Sequence, residues 1–125
     1  MFTPSAVFSG FSVRDVDEAR RFYGETLGVA TTEDMSGAFR IELGNGASVF
    51  AYGKENHEPA SYTMLNIVVD DIDQAVAELE TRGVSFLYYD GLDQDEHGIS
   101  IGWPGPRIAW FADPSGNIIS VLQPE

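Results

Sequence analysis

Val13-Arg14-Asp15-Val16-Asp17-Glu18-Ala19 returns 56 residues later as Val69-Asp70-Asp71-Ile72-Asp73-Gln74-Ala75. Both copies obey Val-x-Asp-(Val/Ile)-Asp-x-x-Ala, and an internal repeat of this length signals a duplicated structural unit. Each copy follows a run rich in β-formers, Ala6–Val13 and Tyr62–Val69, which reads as a strand. The acidic residues that come next suit a helix start, because a carboxylate accepts the free N–H groups of a first turn. Apolar residues then recur at helical spacing: Ala19, Phe22, Tyr23 and Leu27 in the first copy, Ile72, Ala75, Val76 and Leu79 in the second. One residue out of step, Leu27-Gly28-Val29 answers Arg82-Gly83-Val84, each glycine placed to end a helix in a left-handed cap.

Beyond the repeat, Val29–Glu33, Phe39–Leu43 and Ala47–Tyr52 read as strands, the last two joined through Gly44-Asn45-Gly46, a hairpin signal. In the second copy Ser85–Tyr89, Arg107–Ala112 and Ile118–Leu122 take those places, with a turn at Asp113-Pro114-Ser115-Gly116-Asn117. The expected architecture is α+β: two βαβββ modules, about 6–53 and about 62–123, in one domain spanning residues 1–125. The polar stretch Lys54–Ser61 separates them. Asp90–Pro106 is a long loop carrying Asp90, Asp93, Asp95, Glu96, His97 and Trp103, and loops of that length tend to be functional or disordered.

This arrangement resembles the vicinal oxygen chelate superfamily, the glyoxalase, bleomycin resistance protein and dioxygenase family. The resemblance rests on Val13-Arg14-Asp15-Val16, Arg21-Phe22-Tyr23, Leu27-Gly28-Val29, Val69-Asp70-Asp71-Ile72 and Phe111-Ala112-Asp113-Pro114-Ser115-Gly116-Asn117. It implies sheets curved into a cup around a cleft. In the family's enzymes four His, Gln or Glu side chains from the first and fourth strands of each module hold a divalent metal there. Here those positions fall on Phe8, Met64, about Ala51, and Ser120. Phe and Ala have no donor atom, a thioether suits Cu(I), and a lone hydroxyl is a poor ligand for a hard dication. Neither a metal nor any other cofactor is therefore expected, and no residue is singled out as catalytic. His57 and His97 lie in polar acidic segments and read as solvated surface.

Strand alternation sorts the faces. Phe11, Val13, Ile67 and Val69 should pack on the helices. Phe8, Gly10, Ser12, Met64, Asn66 and Val68 should face the cleft, joined by Val49, Ala51, Ile118, Ser120 and Leu122. Phe8, Ala51, Met64, Asn66, Trp103 and Ser120 are the candidate ligand-binding residues. Asn66 is expected as a buried amide whose partners are a ligand or neighbouring backbone, and Trp103, in Gly102-Trp103-Pro104-Gly105, as an aromatic that stacks on a ligand or buries into a dimer partner. Arg107 is expected to pair with the acidic loop beside it in preference to a ligand carboxylate.

Seven Lys and Arg against 20 Asp and Glu leave a net charge of −13, a field that repels nucleic acid and anionic membranes and favours neutral or cationic ligands. No apolar run approaches the ~20 residues of a membrane span, and the start lacks the pattern of a signal peptide. The absence of cysteine excludes disulfides and thiolate chemistry and fits the cytoplasm. The sequence points to a metal-independent small-molecule-binding protein, similar to the sequestering bleomycin-resistance branch and expected as a homodimer. The alternative is a glyoxalase-, lyase- or dioxygenase-like enzyme with an absent or altered metal site.

Overall fold

The computed structural model describes residues 1–34, 37–44, 46–101 and 105–125. Asn45 of the expected hairpin, and Trp103 with its neighbours Gly102 and Pro104, lie outside the described residues. Contacts group the chain into two compact units, Met1–Glu58 and Pro59–Glu125. Among the described residues no helix is long and apolar enough to cross a membrane.

The first unit runs β1 (Ser9–Val13), α1 (Val16–Arg21), β2 (Thr31–Glu33), β3 (Phe39–Gly44) and β4 (Ala47–Gly53). The Asp15 side chain accepts from Glu18 N at 2.9 Å and starts α1. The helix then widens into a π-helical turn, Phe22–Thr26, closed by Leu27 N to Phe22 O at 2.9 Å. Gly28, with φ at +74°, lets the chain reverse where a side chain would be strained. The strands form one sheet in the order β1-β4-β3-β2, with β1 and β4 parallel and the other pairs antiparallel. Its inward face carries the fully buried Val13, Phe39 and Ala51, and α1 adds Ala19. Tyr23 closes this core, its ring 5.9 Å from Phe11, 5.2 Å from Phe22 and 6.4 Å from Phe39.

The second unit repeats the plan with β5 (Thr63–Val68), α2 (Ile72–Thr81), β6 (Arg107–Ala112) and β7 (Ile118–Gln123). Asp71 starts α2 by accepting from Gln74 N at 3.1 Å, and Gly83 ends it at φ +91°. The sheet order is β5-β7-β6, with β5 and β7 parallel. The core gathers Ile72, Val76, Phe111, Ile119 and Val121, with Ile99 joining from the loop.

One expectation needs correction. Ser85–Tyr89 is not a strand: it keeps a single bridge, Phe86 to Phe111, and one further bond, Leu87 N to Trp110 O at 2.8 Å. The Gln94 side chain takes other backbone groups of this stretch, accepting from Tyr89 N at 2.8 Å and donating to Leu87 O at 2.9 Å. The loop from Asp90 joins the packing over part of its described length, with Gly98, Ile99 and Ser100 buried. Gln94 bridges to Ser100, and the Asp95 carboxylate accepts from His97 N and Ile99 N at 2.8 and 3.0 Å.

Candidate ligand-binding site

In a parallel pair, residues in register point to the same side of the sheet. Phe11 pairs with Ala51, whereas Gly10 pairs with Phe50 and Ser12 with Tyr52. Ala51 is therefore turned into the core with no exposure, and Val49 with it, contrary to the face expected of them. The outward residues of β4 are Phe50 and Tyr52. Their rings stack at 5.8 Å and 25°, and Phe8, just ahead of β1, meets Phe50 edge-on at 6.1 Å and 71°. Phe8 is 72% exposed and Tyr52 39%, so this aromatic row faces outward. A Cβ at Gly10 would lie 3.3 Å from the Phe50 backbone oxygen and in ordinary contact with its ring, at 3.6 Å from Cδ2.

At one end of the row Ser12 Oγ and His57 Nδ1 are hydrogen-bonded at 2.6 Å. His57 is thus no free surface residue but a polar margin of the aromatic face. The two residues are 45 apart in the chain, so no local spacing announces the contact. Across the sheet Arg40 pairs in register with Phe50, its charge held by Asp34 at 2.7 Å.

The outward face of the second sheet differs. Asn66 and Ser120 stand in register, and Ser120 Oγ donates to Asn66 Oδ1 at 2.6 Å. The burial is the reverse of that expected for Asn66: its side of the pair is exposed and Ser120 is fully buried. Asn66 Nδ2 has no hydrogen-bond partner among the described residues, which leaves two donors open. Met64 is half-buried two residues before Asn66, and Val68 is 63% exposed two residues after it.

Arg107 reaches α2 instead of the acidic loop, gripping Asp73 through two bonds of 2.9 and 3.0 Å. That hydrogen bonding holds the Asp73 carboxyl below its ordinary range and raises the Arg107 guanidinium. His97 is exposed, with Nδ1 3.1 Å from Glu80 and Nε2 3.7 Å from Glu96.

The family's metal does not fit this chain. Phe8 and Met64 stand at the first-strand positions, Ser120 at one fourth-strand position, and the register puts Phe50 in place of Ala51 at the other. Among the described residues no three His, Cys, Asp or Glu side chains gather as a metal site would require.

The profile of the Glyoxalase/Bleomycin resistance protein/Dioxygenase superfamily matches residues 7–121. The chain belongs to this superfamily. Among solved structures this superfamily member is similar to TnmS3, an antibiotic binding protein from Streptomyces sp. CB03234, at 29% identity and TM-score 0.70, covering 99% of this chain and 100% of that one. A superfamily member from Sphaerobacter thermophilus DSM 20745 shares 24% identity at TM-score 0.71, over 94% and 97% of the two chains. Lactoylglutathione lyase from Agrobacterium tumefaciens shares 17% at TM-score 0.66, over 97% and 95%, a likeness of fold alone. Among curated proteins none matches this superfamily member.

Proposed function

We propose that this protein binds a small neutral or cationic molecule without a metal and sequesters it instead of converting it, as in the bleomycin-resistance branch. The observation that carries this reading is the outward aromatic row Phe8–Phe50–Tyr52. Exposed rings in mutual contact cost free energy in water and mark a surface that gains from being covered. Their faces suit a flat apolar or cationic partner. The antibiotic binding protein, similar over its full length, supports a binding role, and the −13 charge favours neutral or cationic ligands. Asn66, with Met64 beside it, offers polar and apolar contacts on the second sheet, and Trp103 remains a proposed aromatic contact. A glyoxalase- or dioxygenase-type reaction needs a metal to polarise vicinal oxygens, and the donor set does not supply one.

The test is a thermal-shift screen of neutral and cationic aromatic compounds and glycopeptide antibiotics, followed by calorimetric titration of hits. A compound that raises Tm, and whose affinity falls in Phe50→Ala, supports the reading. No hit in the screen, or equal affinity in the variant, removes it. Elemental analysis of protein purified without chelator is expected to find no stoichiometric metal. The reading extends to a cytoplasmic homodimer: Met1, Phe2 and Val7 expose apolar surface that suits a second copy. Light scattering at micromolar concentration tests the dimer.

A further inference from the structure

A cavity of about 330 Å³ lies in the first unit, lined by Asp17, Arg20 and Arg21 of α1, Gly24 and Glu25 of the π-helical turn, and Thr31 of β2. It is distinct from the aromatic row, and its volume lies at the small end of ligand pockets. We infer that this cavity binds a small zwitterion of the α-amino acid class, its carboxylate toward Arg20 and Arg21 and its ammonium toward Asp17 and Glu25.

Four observations carry the inference. Two of only seven basic residues in an acidic chain line this one cavity. Arg20 is largely engaged, with Nη1 3.1 Å from Glu33 and Nη2 3.4 Å from Gly37 O and 3.9 Å from Asp17, yet its Nε is buried with no hydrogen-bond partner. A buried N–H without an acceptor is unfavourable, and because this one is closed to a ligand oxygen as the side chain stands, Arg20 gains by turning it toward one. The exposed side chains of Arg21 and Glu25 make no hydrogen bond or ion pair with any described residue, so one charge of each sign is available. Finally, Gly24 adds no side chain to the lining: a Cβ there would find only Thr31 Oγ1, at 3.7 Å. An anion alone would meet Asp17, Glu25 and the acidic field, and a cation alone would meet two guanidinium groups. A molecule carrying both charges satisfies both sets.

The experiment is amide NMR of the full chain, following Gly24 and Thr31 during titration with glycine, alanine, valine, leucine and phenylalanine. At least one is expected to shift these amides saturably at millimolar concentration. Its N-acetyl derivative, lacking the ammonium, and its methyl ester, lacking the carboxylate, should not. Arg21→Gln, at an exposed position, should weaken binding about tenfold or more, the worth of a hydrogen bond to a charged group. Gly24→Ala should weaken it by filling the cavity without lowering Tm, since alanine favours a helix. The proposal is overturned if no amino acid gives saturable shifts at these amides. It is overturned equally if either derivative binds as well as its parent, or if Arg21→Gln, still giving a folded spectrum, binds as tightly as wild type.

Discussion

The two units share a plan and differ on the faces they turn outward. Inward, the pairs correspond in chemistry: Phe11 and Ala51 in one sheet, Ile67 and Val121 in the other, all apolar. Outward, Gly10 opposite Phe50 becomes Asn66 opposite Ser120. One face offers stacked rings and the other an amide with free donors. The repeated Val-x-Asp motif constrains strand end, helix cap and core, where close packing tolerates little change. It places no such demand on side chains pointing away from the core, and there the copies have taken on different chemistry.

The hairpin turns extend the contrast and give the largest expected effect. In the first unit β3 and β4 are joined through Gly44 and Gly46, both at positive φ. In the second, the buried Asp113 carboxylate organises the turn, accepting from Ser115 N, Asn117 N and Asn117 Nδ2 at 2.9, 2.9 and 3.0 Å. Asp113→Ala removes the carboxylate that accepts these three buried bonds and should cost about 3 kcal/mol, read as a lower midpoint in urea unfolding. A loss under about 0.5 kcal/mol, within the range of an ordinary surface change, would show that the turn holds without its carboxylate.

The next effect bears on the outward faces. If stacking on the first sheet drives binding, Phe50→Ala should weaken a screened ligand by about 30-fold, or about 2 kcal/mol. Asn66→Ala should weaken it less, since an exposed amide contributes at most hydrogen bonds that water also offers. Calorimetric titration of both variants ranks the faces. A larger loss from Asn66→Ala would reverse the ranking and place the recognition on the second sheet.

These faces were only partly legible in the sequence. Helix caps and apolar periodicity act within a few residues, so Asp15, Asp71, Gly28 and Gly83 could be read directly. Register is set by pairing across the sheet, and a slip of one residue moves a side chain to the opposite face. Counting along β4 therefore put Ala51 outward, where the pairing with β1 puts Phe50 and Tyr52. Ser85–Tyr89 has strand-like composition, but no local pattern shows that Gln94 will take backbone groups of that stretch. The Ser12–His57 contact joins β1 to the segment that follows β4 and leaves no trace in spacing. Alternation puts Asn66 and Ser120 on one face, as the pairing does, yet which of them is buried depends on neighbours the alternation does not name.

Ser120→Ala separates structure from binding on the second face. The lost hydroxyl is fully buried, but its acceptor Asn66 is exposed and can be rehydrated. The expected cost is therefore about 1 kcal/mol or less in urea unfolding. A loss near 3 kcal/mol would mean that the pair anchors β7 to β5 instead of tuning the outer face.

The smallest effect concerns the motif's second aspartate, Asp17 in one copy and Asp73 in the other. Asp17 lies 3.9 Å from Arg20, whereas Asp73 is held by Arg107 through two short bonds. The hydrogen bond from Arg107 lowers the Asp73 carboxyl, so the folded state favours its ionised form more than the unfolded chain does. The stabilisation is fully present above the unfolded carboxylate value, about pH 4, and is lost as pH falls through the lower folded value. Because the pair is open to water, solvent and salt screen it and the contribution is small. Urea midpoints measured from pH 6 downward should fall slightly less steeply at the acid end in Asp73→Asn than in wild type, and the difference should shrink at high salt. Identical acid limbs would show that the bidentate geometry contributes nothing to stability and that the two copies of the motif differ here in form alone.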